Sequence, residues 1–223
     1  MQLKLSDLIS PTTPAGTALF LKWNDYHVFS IPKREFDRSP SCVRFFGVGG
    51  KRVNASESFV SCALRESIEE IGDVIASLHS AERTYLYRAN ETIQEIYLMD
   101  AGIRPRMIME KRNHTGCGSM TDPNVAYYLV VFDATLAAKP KPSQEIAAIV
   151  YLTDHHLSLM HSGKPMPMAE LTAMGAKIDC QPGSVLDCAI DLVPFGTAKF
   201  LIQQQFIRSV ERSSGNLSDL CDT

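Results

Sequence analysis

An α/β fold, with a mixed β-sheet flanked by helices, is what this sequence predicts, and three observations predict it. Short apolar runs rich in β-branched and aromatic residues, bounded by Gly, Pro, Asn and Asp, recur from residue 17 to residue 152. One segment between them, "SESFVSCALRESIEEIG", has the 3.6-residue period of an amphipathic helix and stops on a glycine. A last apolar pattern, Phe200, Ile202, Phe206, Ile207 and Val210, predicts a terminal helix over Phe195–Arg212. At 223 residues a single domain, 1–223, is expected, with an N-terminal arm over 1–16 and a flexible tail over 214–223.

The elements follow in order. "TALFLKW", the turn dipeptide Asn24-Asp25 and "YHVFSIP" form a hairpin pattern. "CVRFFGVGG" is a strand ended by Gly49-Gly50, and "KRVNASES" is a polar loop. A helix begins near Ser56 or Glu57, with Ser56 as an N-cap, and runs to Ile71 before Gly72. Val60, Leu64, Ile68 and Ile71 recur at helical spacing, which predicts that this one stripe is buried. "DVIASLHSAERTYLYR" fits a helix followed by a strand, and "ETIQEIYLMDAG" a short helix capped by Asn90. "RMIMEKRN" and "NVAYYLVVFDATL" are strands around the loop "HTGCGSMTDP". After the stiff "KPKP" linker come the strand "EIAAIVYLT", a short helix over Asp154–Leu159 and an irregular, proline-bearing Gly163–Gly183.

Composition narrows the function. Twenty-two Lys and Arg against 25 Asp and Glu give a net charge of −3, which argues against general nucleic-acid binding but leaves room for a small nucleotide ligand. Apolar runs are far shorter than the ~20 residues that span a bilayer, and the N-terminus lacks an apolar signal core, so a cytoplasmic protein without a membrane partner is expected. The six cysteines form no CxxC pair and read as reduced thiols. A homodimer is left open.

Glu66, Glu69 and Glu70 put three carboxylates into a sector roughly 100° wide, placed opposite the Val60/Leu64/Ile68/Ile71 stripe. Like charges so close repel. A hard divalent cation would convert that repulsion into ligation, with the rest of its shell open to water and phosphate oxygens. A merely solvated acidic face is the plain alternative.

The strand ending in Gly-Gly, Glu57 eight positions before Arg65, then Glu66, Glu69, Glu70 and Gly72 together resemble the box of the Nudix hydrolases, G-x5-E-x7-R-E-U-x-E-E-x-G-U, where U is bulky and apolar. Three departures stand out. Six residues rather than five separate Gly50 from Glu57, the first U is Ser67, and the last U is Asp73. The extra loop residue is expected to be absorbed within Arg52–Ser56, leaving Gly50 in register with the helix.

The resemblance implies a Nudix-like α/β/α sandwich with a mixed sheet and a pyrophosphohydrolase acting on nucleoside diphosphates linked to another group. It implies Mg²⁺, with Mn²⁺ as an alternative, held by Glu66, Glu69, Glu70 and a backbone carbonyl near Gly50. Arg65 and Glu57 would brace loop to helix. Glu69 and Glu145 are the candidate bases. A small nucleotide is the implied substrate, its class set by segments such as Arg112–Asn124 and Gly163–Gly183. A Nudix-fold module that binds a nucleotide without turnover is the second reading, and an unrelated α/β protein with an acidic helix the third. His155, His156 and His161 are expected as surface histidines, and Gly116-Cys117-Gly118 as an ordinary turn. Tyr85, Tyr87, Tyr127 and Tyr128 fit either core or base stacking, and Lys51 and Arg52 either solvent or phosphate.

Overall fold

The computed structural model describes residues 2–39, 41–88, 92–112, 126–143, 145–182 and 189–203. In chain order its strands are β1 (Gln2–Leu3), β2 (Ala15–Trp23), β3 (Tyr26–Pro32), β4 (Cys42–Phe45), β5 (Ile75–His79), β6 (Thr84–Tyr87), β7 (Ile93–Leu98), β8 (Met107–Arg112), β9 (Ala126–Leu136), β10 (Ile146–Leu152), β11 (Met166–Pro167), β12 (Lys177–Cys180) and β13 (Asp191–Pro194). Its helices are α1 (Leu5–Leu8), α2 (Arg34–Arg38), α3 (Phe59–Ile71), α4 (Asp154–Leu159) and α5 (Met168–Ala173), and residues 197–203 are helical as well. The expected mixed α/β class is present. Among the described residues no helix is long and apolar enough to cross a membrane.

The chain divides into two compact units, Met1–Leu21 with Val48–Pro140, and Lys22–Gly47 with Lys141–Thr223. In the first, the strand order is β1-β7-β6-β8-β9-β2, with β5 on β9. Pairing is mixed: β1 with β7 and β6 with β8 are parallel, whereas β6 with β7, β8 with β9 and β5 with β9 are antiparallel. Ile108, Val130 and Leu86, on three neighbouring strands, are fully buried. In the second unit β3-β10-β12 is antiparallel, and β11-β13-β4 includes a parallel pair, β13 with β4. All seven residues of β10 are buried, which explains a run with no polar alternation.

Several expectations are corrected. The described part of the N-terminal arm, residues 2–16, is tied to the sheet: Leu3 pairs with Leu98, Leu5 N–H donates to Asp100 Oδ1 at 2.8 Å, and Ile9 is buried. "ETIQEIYLMDAG" forms β7 rather than a helix. Ile96 and Leu98 are buried at a spacing of two, and the cross-strand register Thr84 to Ile96 fixes them there, so pairing overrides the helix-like spacing of Ile93, Ile96 and Tyr97. Asn90 lies outside the described residues. Gly163–Gly183 contains β11, α5 and β12. The hairpin turn is as expected, with Asn24 at φ 53°, the left-handed value that two-residue hairpin loops favour. The terminal helix is described only to residue 203, and the 214–223 tail lies outside the described residues.

Helix α3 starts at Phe59, later than expected, for a local reason. Asn54 Oδ1 accepts from the Ser56 and Glu57 N–H groups at 2.9 and 3.1 Å, holding both in a turn. Ser58 becomes the N-cap instead, accepting from Ser61 N–H at 3.0 Å.

The packed face of α3 also differs from the expected stripe. Of Val60, Leu64, Ile68 and Ile71 only Ile71 is buried, and Ile68 is 52% exposed. The buried residues are Cys62, Ala63, Ser67 and Ile71. Small side chains let the helix axis come close to β2, where Thr17 Oγ1 donates to Cys62 Sγ at 3.3 Å. Ser67, where the Nudix pattern has a bulky residue, is fully buried and its hydroxyl donates to the Leu64 carbonyl at 2.7 Å. Restoring bulk there should overpack this contact. Ser67→Leu is expected to destabilise the protein by about 1–3 kcal/mol in urea unfolding.

Candidate active site

The site lies within the first unit, where the loop after Gly49-Gly50 meets α3. Gly50 carbonyl accepts from Thr17 N–H at 2.9 Å, which fastens the loop to β2. On its other side Gly50 faces the helix. A β-carbon there would meet the Glu66 carboxylate, so any side chain at this position would require that carboxylate to move. Gly16 plays the matching part on β2, where a β-carbon would collide with both the Gly50 carbonyl oxygen and the Tyr127 hydroxyl. Strand, loop and helix therefore converge on Gly50 through two residues that have no side chain.

Arg65 ties the same three parts by charge. Its Nε donates to Glu57 Oε1 at 2.8 Å, and its Nη2 to the Lys51 carbonyl at 2.9 Å. Its Nη1 donates to Glu66 Oε1 at 2.9 Å and, more weakly, to Glu69 Oε2 at 3.2 Å. Glu57 Oε2 in turn accepts from Val53 N–H at 2.7 Å. Hydrogen bonding to Glu57 holds the Arg65 guanidinium well above its ordinary pKa, and the same contact, with Val53 N–H adding, holds the Glu57 carboxyl below the usual carboxylate range. Glu57 reaches Arg65 from just beyond the Asn54 turn.

Because the packed face is rotated from the expected one, the carboxylates do not sit opposite it. At about 100° per residue, Glu66 and Glu70 fall within ~60° of Ala63, inside the packed sector, while Glu69 points out. Glu66 is 15% exposed at its side chain against 57% for Glu69, and Glu70 Oε2 is shut off from solvent. Burying carboxylates on a helix is costly without compensation, and Arg65 supplies it for Glu66.

Among the described residues no group of three or more His, Cys, Asp or Glu is arranged to hold a metal ion. The donor set nevertheless suits one: three hard carboxylates within two turns, and a backbone cradle at Gly50 that keeps the Glu66 carboxylate against the loop. The Gly50 carbonyl itself is engaged by Thr17 N–H, which leaves one lone pair for any further contact.

Gly50, Glu57, Arg65, Glu66 and Glu69 are thus brought together, with Glu70 on the same helix. Glu145 belongs to the second unit, exposed at the start of β10, with its carbonyl accepting from Lys33 N–H at 2.9 Å. Cys62 and Tyr127 were not legible as neighbours of this site. Burial pushes the Cys62 thiol up, and burial, with Cys62 and Glu66 nearby, pushes Tyr127 up to about 12. Arg52 stacks over Phe59 at 4.5 Å and donates to the Pro11 carbonyl at 3.4 Å, whereas Lys51 is exposed. His156 is buried, not a surface residue, because its Nδ1 pairs with Thr153 Oγ1 at 2.6 Å and closes the start of α4. His161 folds back on the Ser158 carbonyl at 2.8 Å. Gly116-Cys117-Gly118 lies outside the described residues.

Solved structures similar to this chain include a Nudix-family hydrolase from Clostridium perfringens, at 11% identity and TM-score 0.46, covering 86% of this chain and 95% of that one. The chain resembles the Nudix hydrolases. A MutT protein from Bacillus halodurans is similar at 16% identity and TM-score 0.40, over 72% and 78% of the two chains. A Nudix hydrolase from Nitrosomonas europaea is similar at 13% identity and TM-score 0.38 over 65% of this chain, which spans 59% of that one. No protein-family model matches the chain, and no curated protein matches it.

Two outcomes test the Nudix-like box. A carboxyl with a depressed pKa stabilises the fold above its ordinary range and ceases to do so as pH falls through the lower, folded value. The melting temperature should therefore drop as pH falls from the ordinary carboxylate range through the Glu57 value. Glu57→Gln should melt lower at neutral pH and lose part of that acid dependence. Gly50→Ala should displace the Glu66 carboxylate and break its bond to Arg65, seen as a lower melting temperature than wild type with the far-ultraviolet circular dichroism unchanged.

Proposed function

We propose that this protein hydrolyses a diphosphate bond in a nucleoside diphosphate linked to another moiety, of the nucleotide-sugar, ADP-ribose or nucleoside-triphosphate class, with Mg²⁺ as cofactor. The observation that carries the reading is the Arg65 clasp, which gathers Glu57, Glu66 and Glu69 where the Glu66 carboxylate lies against Gly50. Glu66, Glu69 and Glu70 would hold the metal, which when bound neutralises charge on the diphosphate and acidifies water. Arg65 and Glu57 are positioning residues, fixing the loop against α3 so that Glu66 keeps its place. The proton of the attacking water goes to a carboxylate, Glu69 or Glu145. Glu69 suits that task in being far more exposed than Glu66 and the most weakly held by Arg65.

One observation favours a second reading, a nucleotide-binding module without turnover. Arg65 Nη1 bridges Glu66 and Glu69, which commits two of the three carboxylates to an internal cation. Turnover separates the readings. The purified protein is incubated with each substrate class in Mg²⁺, in Mn²⁺ and in chelator, and the product phosphates are identified. Cation-dependent release supports the hydrolase, and binding without release supports the module. Glu69→Gln and Glu70→Gln should each lower kcat by at least ~100-fold with the fold retained. Glu145→Gln lowers kcat without changing metal affinity if Glu145 is the base, and leaves both unchanged if Glu69 is.

A further inference from the structure

His27 and His156 are buried in the second unit, and the diphosphate chemistry uses neither. His156 stands where a histidine is not usual. Thr153 precedes α4, and His156 is the third residue of that helix, the position at which a capping box carries Glu or Gln. An imidazole fills that role here. Thr153 N–H donates to His156 Nδ1 at 3.1 Å, and the Thr153 hydroxyl lies 2.6 Å from the same nitrogen. A ring nitrogen that accepts from a backbone N–H carries no hydrogen of its own, so the ring proton is on Nε2. Nε2 is shut off from solvent, without a hydrogen-bond partner of ordinary geometry.

Protonation and capping are incompatible at Nδ1. A second proton can enter the ring only there, where it would point at the Thr153 N–H. The cap matters because α4 is short. A helix of six residues does not persist on its own, so α4 depends on its cap and on the fully buried Leu157, with the buried Met160 next to it. The neighbouring groups do not relieve the conflict. His155, with ring centres 6.1 Å apart, would add like charge. The Asp154 carboxylate turns instead to His27 on β3, 2.7 Å from its Nε2. On β10 the Tyr151 hydroxyl donates to Asp179. At the end of α5 the Leu171 and Met174 carbonyls bear on the ring, while Glu170 is exposed. Burial is the largest influence and pushes the His156 imidazole below its ordinary value; His155 adds to this and the two carbonyls oppose it.

We propose that His156 is an acid-sensitive latch: once protonated it releases Thr153, and α4 comes away from β10 and uncovers Leu157 and Met160. The device is separate from the acidic box and stands whether or not the chain hydrolyses a diphosphate. The closed form binds fewer protons than the open form, so acid favours opening. Above the ordinary histidine value of about 6.5 the latch is shut, and its stabilisation is lost as pH falls from there through the lower folded value. His27 acts in the opposite sense, because a protonated ring there pairs better with Asp154.

The test is hydrogen–deuterium exchange of Asp154–Met160 in the full chain, corrected for the intrinsic pH dependence of exchange, from about pH 7.5 to about pH 5. The opening constant of α4 should rise by up to about tenfold per pH unit below the free histidine value, while β10 keeps its protection. His156→Gln can cap in the same way but does not titrate, so it should hold α4 shut across the range. His155→Gln should keep the wild-type response. Nitrogen-15 shifts of the histidine rings in the wild-type protein should show His156 as the Nε2–H tautomer at neutral pH. Flat α4 protection in the wild type overturns the latch. The same acid response in folded His156→Gln overturns it too, and so does an Nδ1–H tautomer for His156 at neutral pH, which is read on the wild-type protein.

Discussion

The arrangement around the box depends on one guanidinium. Arg65 is the only described side chain shown reaching the loop backbone, the loop carboxylate and two helix carboxylates at once. Its planar fork can do so because each nitrogen points in a fixed direction; an ammonium would meet these partners one at a time. Nε faces Glu57, Nη1 faces Glu66 and Glu69, and Nη2 faces the Lys51 carbonyl. Backbone bonds from Thr17 to Gly50 and from Arg52 to Ala15 fasten the start of the loop to β2, and this fork ties it to α3.

That arrangement constrains the packing beneath it. Glu66 can be both close to Gly50 and bonded to Arg65 only if α3 lies near β2. Cys62, Ala63 and Ser67 make that possible, being small where Leu or Ile would hold the helix away. The departure at Ser67 is therefore coherent with the rest of the face. The bulkier Val60, Leu64 and Ile68 are left partly or largely exposed as a consequence.

Much of this was legible in the sequence because it is local. The hairpin at Asn24, the α3 segment, the strand before Gly49-Gly50 and the short α4 are each specified by turn residues, caps and period over a few positions. The Glu57–Arg65 pair was legible because box spacing is fixed along the chain. What was not legible depends on partners distant in sequence. The α3 face was misread because bulk was taken to indicate burial, when proximity to β2 selects for small size. The β7 segment was misread because its helical spacing is outweighed by pairing with β6, some ten residues away. His156 was read as a surface residue because nothing near it in sequence signals that its ring folds back onto Thr153. Tyr127 could be placed near Glu66 only once β9 was set beside β2.

The clasp also bears on how committed the carboxylates are, since the same arginine that gathers them competes for them. Its bonds are not equal. The Glu57 contact is short, doubly supported by Val53 N–H, and joins side chains 29% and 13% exposed. Charge-assisted bonds of that kind contribute about 1.5–3 kcal/mol. The Glu69 contact is longer, at 3.2 Å, and its carboxylate is 57% exposed. Exposed pairs of that kind contribute about 0–1 kcal/mol. Glu69 can thus turn away from Arg65 at little cost while Glu57 stays bound, and the loop keeps its place on the helix when it does. Glu66 is intermediate, at 2.9 Å with a mostly covered carboxylate, and Gly50 limits where it can go. The gradient runs from a fixed end at Glu57 to a free end at Glu69. An arginine that braces the loop at one end and yields at the other is compatible with carboxylates that remain available to a ligand, so the internal bridge does not by itself decide in favour of a binding module.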